Sequence, residues 1–289
     1  MSHDPAATNP IRNVSDTALW VAVYRAMESE RPDALFNDPY ARRLAGARGE
    51  AIVASIPRGK SMSWPMVVRT VVIDEIVQRC VGDGVKTVLN LAAGLDARPY
   101  RLDLPASLQW LHVDMPEMVA YFRERMSGET PRCKLEFIEA DLRGADKRRE
   151  VFEYARSQGP LLVITEGLLI YLESHQVAEL ARDLHDVAQA RWWLLDLASP
   201  MLLNFLERTW AHRLREGNAP FIFGPAEGTA FFAPFGWREA EFRSTWDESF
   251  RINRTMRGAH LWRLLFKFQS ARRREAGRRM SGIVLFDHN

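Results

Sequence analysis

Residues 87–98, TVLNLAAGLDAR, narrow the folding options of this chain more than any other stretch. Val88, Leu89 and Leu91 form a short aliphatic run suited to a strand covered on both faces. The run stops in Ala92-Ala93-Gly94, small residues that let a ligand approach the backbone. A strand, a small loop and a helix are how open α/β sheets hold nucleotides at the carboxyl end of the first strand. The stretch lacks the three glycines of the dinucleotide fingerprint and the Lys-Ser/Thr pair of a phosphate loop. It therefore predicts an adenosine-type ligand without a phosphate.

The surrounding pattern extends this into a sheet. Short apolar runs at 87–91, 110–114, 135–140, 161–165 and 192–197 read as strands, and 237–243 and 282–286 as two final ones. Helical spacing fills 116–126, 145–157 and 174–190, and this alternation predicts βαβ units in a mostly parallel sheet. Upstream, Ser15 or Asp16 can cap a helix over 17–26, Asp38-Pro39 opens a second, and 65–81 forms a third with Arg69 near its start. Residues 1–13 read as a polar, Pro-rich arm. The segment 199–236 carries Phe205, Trp210, Phe221, Phe223, Phe231, Phe232 and Phe235 between Pro and Gly breakers, and reads as a helical insertion over the sheet's carboxyl edge. Beyond it, 261–268 is expected to be helical and 272–279 to be a solvated basic run.

A chain of 289 residues, 47% hydrophobic and 26% charged, can bury a large core without staples. It is read as a single domain over 1–289, with an N-terminal helical cap at 14–64 and the insertion at 199–236. Cys80 and Cys133 lie far apart and suit structural thiols in a reducing compartment; no Cys/His spacing predicts a metal. A net charge of +2 is too small to imply a polyanion. No apolar run approaches the ~20 residues of a membrane span, and residues 1–13 lack the apolar core of a secretory signal. The expectation is a cytoplasmic protein with neither a nucleic-acid nor a membrane partner; a homodimer is compatible with it.

Four features fall at successive strand ends: Gly94, then Asp114, then Asp141-Leu142, then Glu166-Gly167. In an open parallel sheet these tips line the ligand crevice. An acidic residue ending the second strand is the usual acceptor for ribose hydroxyls. A carboxylate after the third can accept from an adenine amino group, with Leu142 against the ring. A single Asp at a strand end often only caps a helix; the ordered series is what points to a ligand. Asp96 and Arg98 read as a helix cap and a surface pair. His112, inside a strand, reads as structural, and His175 as exposed after a capping Ser174. Tyr171 is the candidate substrate-facing residue.

The segments NVSDTALWVAVYRAMESE, DPYARRL, VVRTVVIDEIV, VLNLAAGLDARPYRL, WLHVDMPEM, ADLR and TEGLLIYL resemble the leucine carboxyl methyltransferase family, and within it the bacterial branch of small-molecule and polyketide O-methyltransferases. The resemblance covers roughly residues 14–200. It implies the class I methyltransferase fold, a Rossmann-like, mostly parallel seven-stranded sheet with helices on both faces, and S-adenosylmethionine as cofactor. By this resemblance the cofactor site comprises Arg69, Ala92, Gly94, Asp114, Met115, Asp141, Leu142 and Glu166. Arg69 would meet the methionine carboxylate, Gly94 would lie under the methionine part, and Asp114 would hold the ribose hydroxyls. Asp141 and Leu142 would frame the adenine, and Glu166 would accept from the ammonium. The eukaryotic protein-modifying branch carries a Lys near the position of Val21, and relatives often have Gly-Ala where this chain has Ala92-Ala93.

A carboxylate acceptor is already ionised at neutral pH and needs steering rather than a base, whereas a phenol of pKa about 10 benefits from one. No compelling base emerges from the sequence. The expected function is methyl transfer to an oxygen, a carboxylate by preference, of a small acidic molecule such as a polyketide. The alternatives are a carboxyl methyltransferase of protein C-termini and a non-catalytic adenosyl-ligand binder.

Overall fold

A computed structural model describes residues 15–56, 59–216 and 220–288; the arm expected at 1–13 lies outside the described residues. Seven strands form one sheet: β1 (Thr87–Leu91), β2 (Gln109–Asp114), β3 (Lys134–Glu139), β4 (Leu161–Thr165), β5 (Trp192–Ala198), β6 (Trp237–Ser244) and β7 (Ser281–His288), in the order β3-β2-β1-β4-β5-β7-β6. The first five run parallel, and β7 inserts antiparallel between β5 and β6. This mostly parallel arrangement is the class I methyltransferase fold anticipated from the sequence.

The central aliphatic runs form strands because they bury both faces, whereas the outer β3 and β6 are only partly covered. Every residue of β1 and β4 is buried. The pleat sends successive side chains to opposite sides. Val88, Leu162 and Ile164 pack on α3 (Trp64–Gly82) through Val68, Val72 and Ile76. Leu89, Leu91 and Val163 instead meet Val151 and Phe152 of α6 (Ala145–Ser157) and Leu180 and Leu184 of α7 (Ser174–Asp186). The cap of α7 differs from expectation. Glu173, not Ser174, is the N-cap, and it exchanges hydrogen bonds with Gln176 in a capping box.

α1 (Ser15–Ser29) and α2 (Ala41–Ser55) build a third core with Leu95, Tyr100 of the short α4 (Arg98–Arg101), and Met118 and Phe122 of α5 (Pro116–Arg125). Asp38 shapes the turn between α1 and α2, its carboxylate accepting from the Tyr40 N–H. α1 covers the loop after β1, where a Cβ at Gly94 would stand 3.3 Å from the Ala18 methyl.

The aromatic insertion divides its work. It comprises α8 (Pro200–Glu216), an extended strap, and a 3-10 turn over Gly228–Phe235. Phe223 and Phe232 are packing residues of the main core. Phe232 meets Trp193 edge to face at 5.2 Å, and Trp193 Nε1 donates to Thr165 Oγ1 at 2.9 Å. Phe221 and the half-exposed Phe205 turn instead toward a large cavity; the Trp210 side chain lies outside the described ones. The chain then continues through α9 (Thr245–Arg251), α10 (Ala259–Phe266) and α11 (Ala271–Arg278). The expected basic run is therefore a helix, and it is exposed along most of its length.

Candidate functional site

The four parallel strand tips open into one cavity of about 2410 Å³. Arg69, Ala92, Gly94, Asp114, Met115, Asp141, Leu142, Glu166 and Tyr171 all line it. The residues singled out from the sequence are thus brought together by the sheet, although 102 positions separate the first from the last.

The loop after β1 is sharply bent. Gly94 has φ 54 and Ala92 has φ 50, both in the left-handed region. Glycine enters that region freely; alanine does so only at a cost. Asp114, at the tip of β2, fastens the bend, its Oδ2 accepting from the Gly94 N–H at 2.6 Å and its Oδ1 from the Met115 N–H at 2.7 Å. Burial raises the Asp114 carboxyl above its ordinary value, and the two backbone donors pull it partly back. A carboxylate offers about four lone-pair directions, so two stay free at the cavity wall.

At the third tip, Asp141 sits farther out. Hydrogen bonds from Arg143 hold its carboxyl below the usual range, and the pair is exposed. Leu142 is held through its carbonyl, which accepts from Arg148 at 3.1 Å, while Arg148 is anchored to Asp183 of α7 at 2.6 Å.

The fourth tip is the electrostatic centre. Glu166 meets Arg69 Nε at 3.0 Å through Oε1 and Arg98 Nη1 at 2.7 Å through Oε2. Burial opposes its ionisation, but Arg98 and Arg69 outweigh that and hold the carboxyl down at about 2. Arg69 also pairs with Asp196 of β5 at 3.0 Å. Arg98 also pairs with Asp74 of α3 and with Asp96, and Arg101 pairs with Asp74 too. In this linked cluster three guanidiniums meet four carboxylates, so it carries an excess negative charge. Adding the neighbouring Arg25–Asp38 pair leaves that excess unchanged.

Two sequence readings need correction here. Arg98 is no surface residue; only 2% of it is exposed. Asp96 does accept from the Arg98 N–H as a cap would, but it also accepts from Asn90 and belongs to the buried cluster. Asp196 was missed altogether. It receives the Gly167 N–H at 2.6 Å as well as Arg69, and so fixes the loop after β4. A lone carboxylate inside the apolar run WWLLDLA was the signal available for it. Gly167 has φ 66, and a Cβ there would stand 3.2 Å from Arg69 Nη1, so the glycine lets the guanidinium pass.

Tyr171 lies in the 3-10 turn after this loop, its ring 5.5 Å from Phe221 of the insertion. The strap is tied to the turn by the Ile222 and Phe223 N–H groups, both bound to the Ile170 carbonyl. Burial pushes the Tyr171 phenol up to about 12, so it is a neutral hydroxyl at physiological pH. Cys80 and Cys133 are buried free thiols pushed up to about 12 and 11 by burial, away from the cavity lining. No helix among the described residues is long and apolar enough to cross a membrane.

Known proteins resemble this chain in sequence and in fold. A protein of Parafrankia sp. (strain EAN1pec), described as a candidate S-adenosyl-L-methionine-dependent methyltransferase, is 36% identical over 182 residues, which are 59% of this chain and 58% of the relative. The first such curated relatives are matched over about three fifths of their own length. Among solved structures, a DUF574 family protein of Streptomyces avermitilis MA-4680 superposes with a TM-score of 0.58 at 12% identity, covering 93% of this chain and 97% of that one. A candidate methyltransferase of Thermobifida fusca YX gives a TM-score of 0.52 at 18% identity, covering 93% and 94%. These two likenesses show the fold. The profile of the family described as "Leucine carboxyl methyltransferase" matches residues 18–185, more than half of the sequence, and the chain belongs to that family.

Proposed function

We propose that this chain is an S-adenosylmethionine-dependent methyltransferase that methylates a carboxylate oxygen of a small, largely apolar acid. The observation that carries the reading is the convergence of Asp114, Glu166, Arg69 and Arg98 on one cavity beside a single-glycine loop. The donor set suits that cofactor. Asp114 keeps lone pairs free for two ribose hydroxyls, the loop has no phosphate cradle to satisfy, and the excess negative charge at the fourth tip suits a cationic ligand. Arg69 and Glu166 are bound to each other rather than standing apart, so the amino-acid end of the ligand would join an existing network of pairs. Bound there, S-adenosylmethionine supplies an electrophilic methyl group on a sulfonium.

The remainder of the cavity supports the reading of the acceptor as an apolar acid. Trp20, Trp64, Phe221, Trp246, Trp262 and Phe266 line it. About 2410 Å³ exceeds the roughly 300–1,000 Å³ of an ordinary ligand pocket, leaving room for an apolar acceptor beside the cofactor. Arg257 and Arg273 line it without an ion-pair partner among the described residues and would attract an anion. Two lining phenols are neutral, Tyr24 and Tyr171 each pushed up to about 12 by burial. A carboxylate needs no base: one oxygen lone pair forms the O–C bond as the sulfur keeps the C–S electrons, and no proton is released. The residues' part is alignment and exclusion of water.

The test combines isothermal calorimetry with labelled methyl transfer to carboxylic acids of increasing apolar length. Micromolar binding of S-adenosylhomocysteine and an alkali-labile product, as a methyl ester gives, are expected. Absence of binding would overturn the cofactor assignment, and an alkali-stable product would overturn the carboxylate assignment. Asp114→Ala should weaken cofactor binding by more than about 1 kcal/mol through loss of charged hydrogen bonds.

A further inference from the structure

α10 presents two apolar faces, and only one of them has an evident use. Trp262, Phe266 and Gln269, spaced i, i+4 and i+7, line the cavity, where Phe266 packs against Trp246 at 5.8 Å. Leu261, Leu264 and Leu265 of α10 form a separate stripe at i, i+3 and i+4, and Phe268, in the turn that follows and bound through its N–H to the Leu265 carbonyl, extends it. None of the four lines the cavity, and their exposures are 63%, 51%, 48% and 83%. Four large apolar side chains in one uninterrupted stripe are more than the scattered exposure of ordinary surfaces.

The charge around the stripe selects its occupant. Residues 257–274 contain no acidic residue; Arg263, Lys267, Arg272 and Arg274 rim the stripe, and Arg257 and Arg273, which line the cavity, add to the same positive field. All six are exposed. A second copy of the chain related by a two-fold axis would set this cationic rim against its own image, an unfavourable arrangement. An apolar stripe rimmed by unopposed cations, with Trp262 at its shoulder, is instead the chemistry of a helix lying in an anionic lipid interface.

We infer that α10 and the start of α11 dock the protein on an anionic phospholipid surface, with the stripe entering the headgroup boundary and the cations meeting lipid phosphates. Peripheral docking of this kind needs no membrane span, so the lack of one, on which the expectation of no membrane partner rested, does not bear on it. Because the neighbouring face of α10, through Trp262 and Phe266, lines the cavity, docking places the cavity mouth near the lipid boundary, where an apolar acid would partition.

Sedimentation with phospholipid vesicles tests this without reference to catalysis. Vesicles with about one-third anionic lipid should bind the protein at least about tenfold more tightly than neutral ones, and raised salt should weaken the binding. The double variant Leu265→Glu/Phe268→Glu should lose at least about tenfold of that binding while retaining its circular dichroism spectrum and its affinity for S-adenosylhomocysteine. Equal binding to neutral and anionic vesicles, or none to either, overturns the inference. So does an unchanged affinity in the double variant, which would reveal attraction by surface charge alone. Concentration-dependent dimerisation that the double variant abolishes would assign the stripe to a second copy instead, and salt-sensitive capture of an acidic peptide without vesicle binding would assign it to a protein partner.

Discussion

Glu166 is an anion held between two guanidiniums, and its role is best tested by removing the charge alone. Glu166→Gln leaves Arg69 and Arg98 with one carboxylate fewer in a site where their side chains are only 12% and 3% exposed. Arg69 keeps Asp196, and Arg98 keeps Asp74 and Asp96, so the loss in urea-unfolding free energy is expected at about 1–3 kcal/mol, below the about 3–5 kcal/mol of a buried charge left with no partner. The pH dependence has a definite sign. The folded carboxyl titrates at about 2 and an unfolded one near 4.3, so its stabilisation is complete above about 4.3 and fades as the pH falls toward 2. The variant should lose that part of the acid dependence; an unchanged acid limb would contradict the role. At Ala92 the expectation reverses. The sequence shows a small residue in a small-residue loop, but only the backbone shows φ 50. Ala92→Gly should relieve the left-handed strain, offset partly by the looser unfolded chain, for a net gain of about 0.5–1 kcal/mol in chemical denaturation. Asp114 and Glu166 were legible because they end their strands, while Arg98 was not. Its burial depends on Asp74, contributed by another helix 24 positions earlier, and no local pattern encodes such a pair.

The strands were the most legible elements: the central ones carry aliphatic runs, and β3 and β6 alternate apolar with charged residues. β1 and β4 fall where periodicity places them, and the remaining strands differ from expectation by one or two residues at their ends. α9 and α4 were missed because each is shorter than the window over which helical spacing shows. β2 carries its own titration. His112 is completely buried in that strand, its ring 4.8 Å from Phe122 and 5.2 Å from Phe137. Burial lowers it to about 4, so the folded state holds it neutral where an unfolded chain, with a value near 6.5, would protonate it. Stability is therefore full above about pH 6.5 and declines as the pH falls toward 4, by roughly 3 kcal/mol in the limit. His112→Leu should flatten this window, and unfolding free energies at pH 7.5 and 5 should converge in the variant. Equal values at the two pH values in the unsubstituted protein would refute the assignment. This window lies above that of Glu166, so the two contributions separate in one pH series.

At the scale of the whole molecule, the sheet order brings the tips together, and two of the cavity's walls come from the two ends of the chain. α1 stands over the β1 loop and is fastened there by Arg25, which donates to the Leu95 carbonyl at 2.6 Å and pairs with Asp38 at 2.8 Å. α9 to α11 form the second. The two walls are joined directly. Arg254, in the loop after α9, pairs with Glu28 near the end of α1 at 2.9 Å, across 226 positions of sequence, and also donates to the Asp33 carbonyl. Such a link is invisible to sequence reading, because neither residue sits in a recognisable motif. It is also sheltered, with side-chain exposures of 10% and 3%, so it escapes the weak energetics of surface pairs. Glu28→Ala would leave the Arg254 guanidinium without its principal anion. A loss of about 2–4 kcal/mol in unfolding free energy is expected. The informative readout is where the loss appears. If the link holds the two walls together, limited proteolysis should accelerate at both 29–38 and 252–258, while the strands of the central sheet keep their hydrogen-exchange protection. A uniform loss of protection across the sheet would mean that Glu28 supports the core itself. Faster cleavage confined to one segment would mean that the walls open independently.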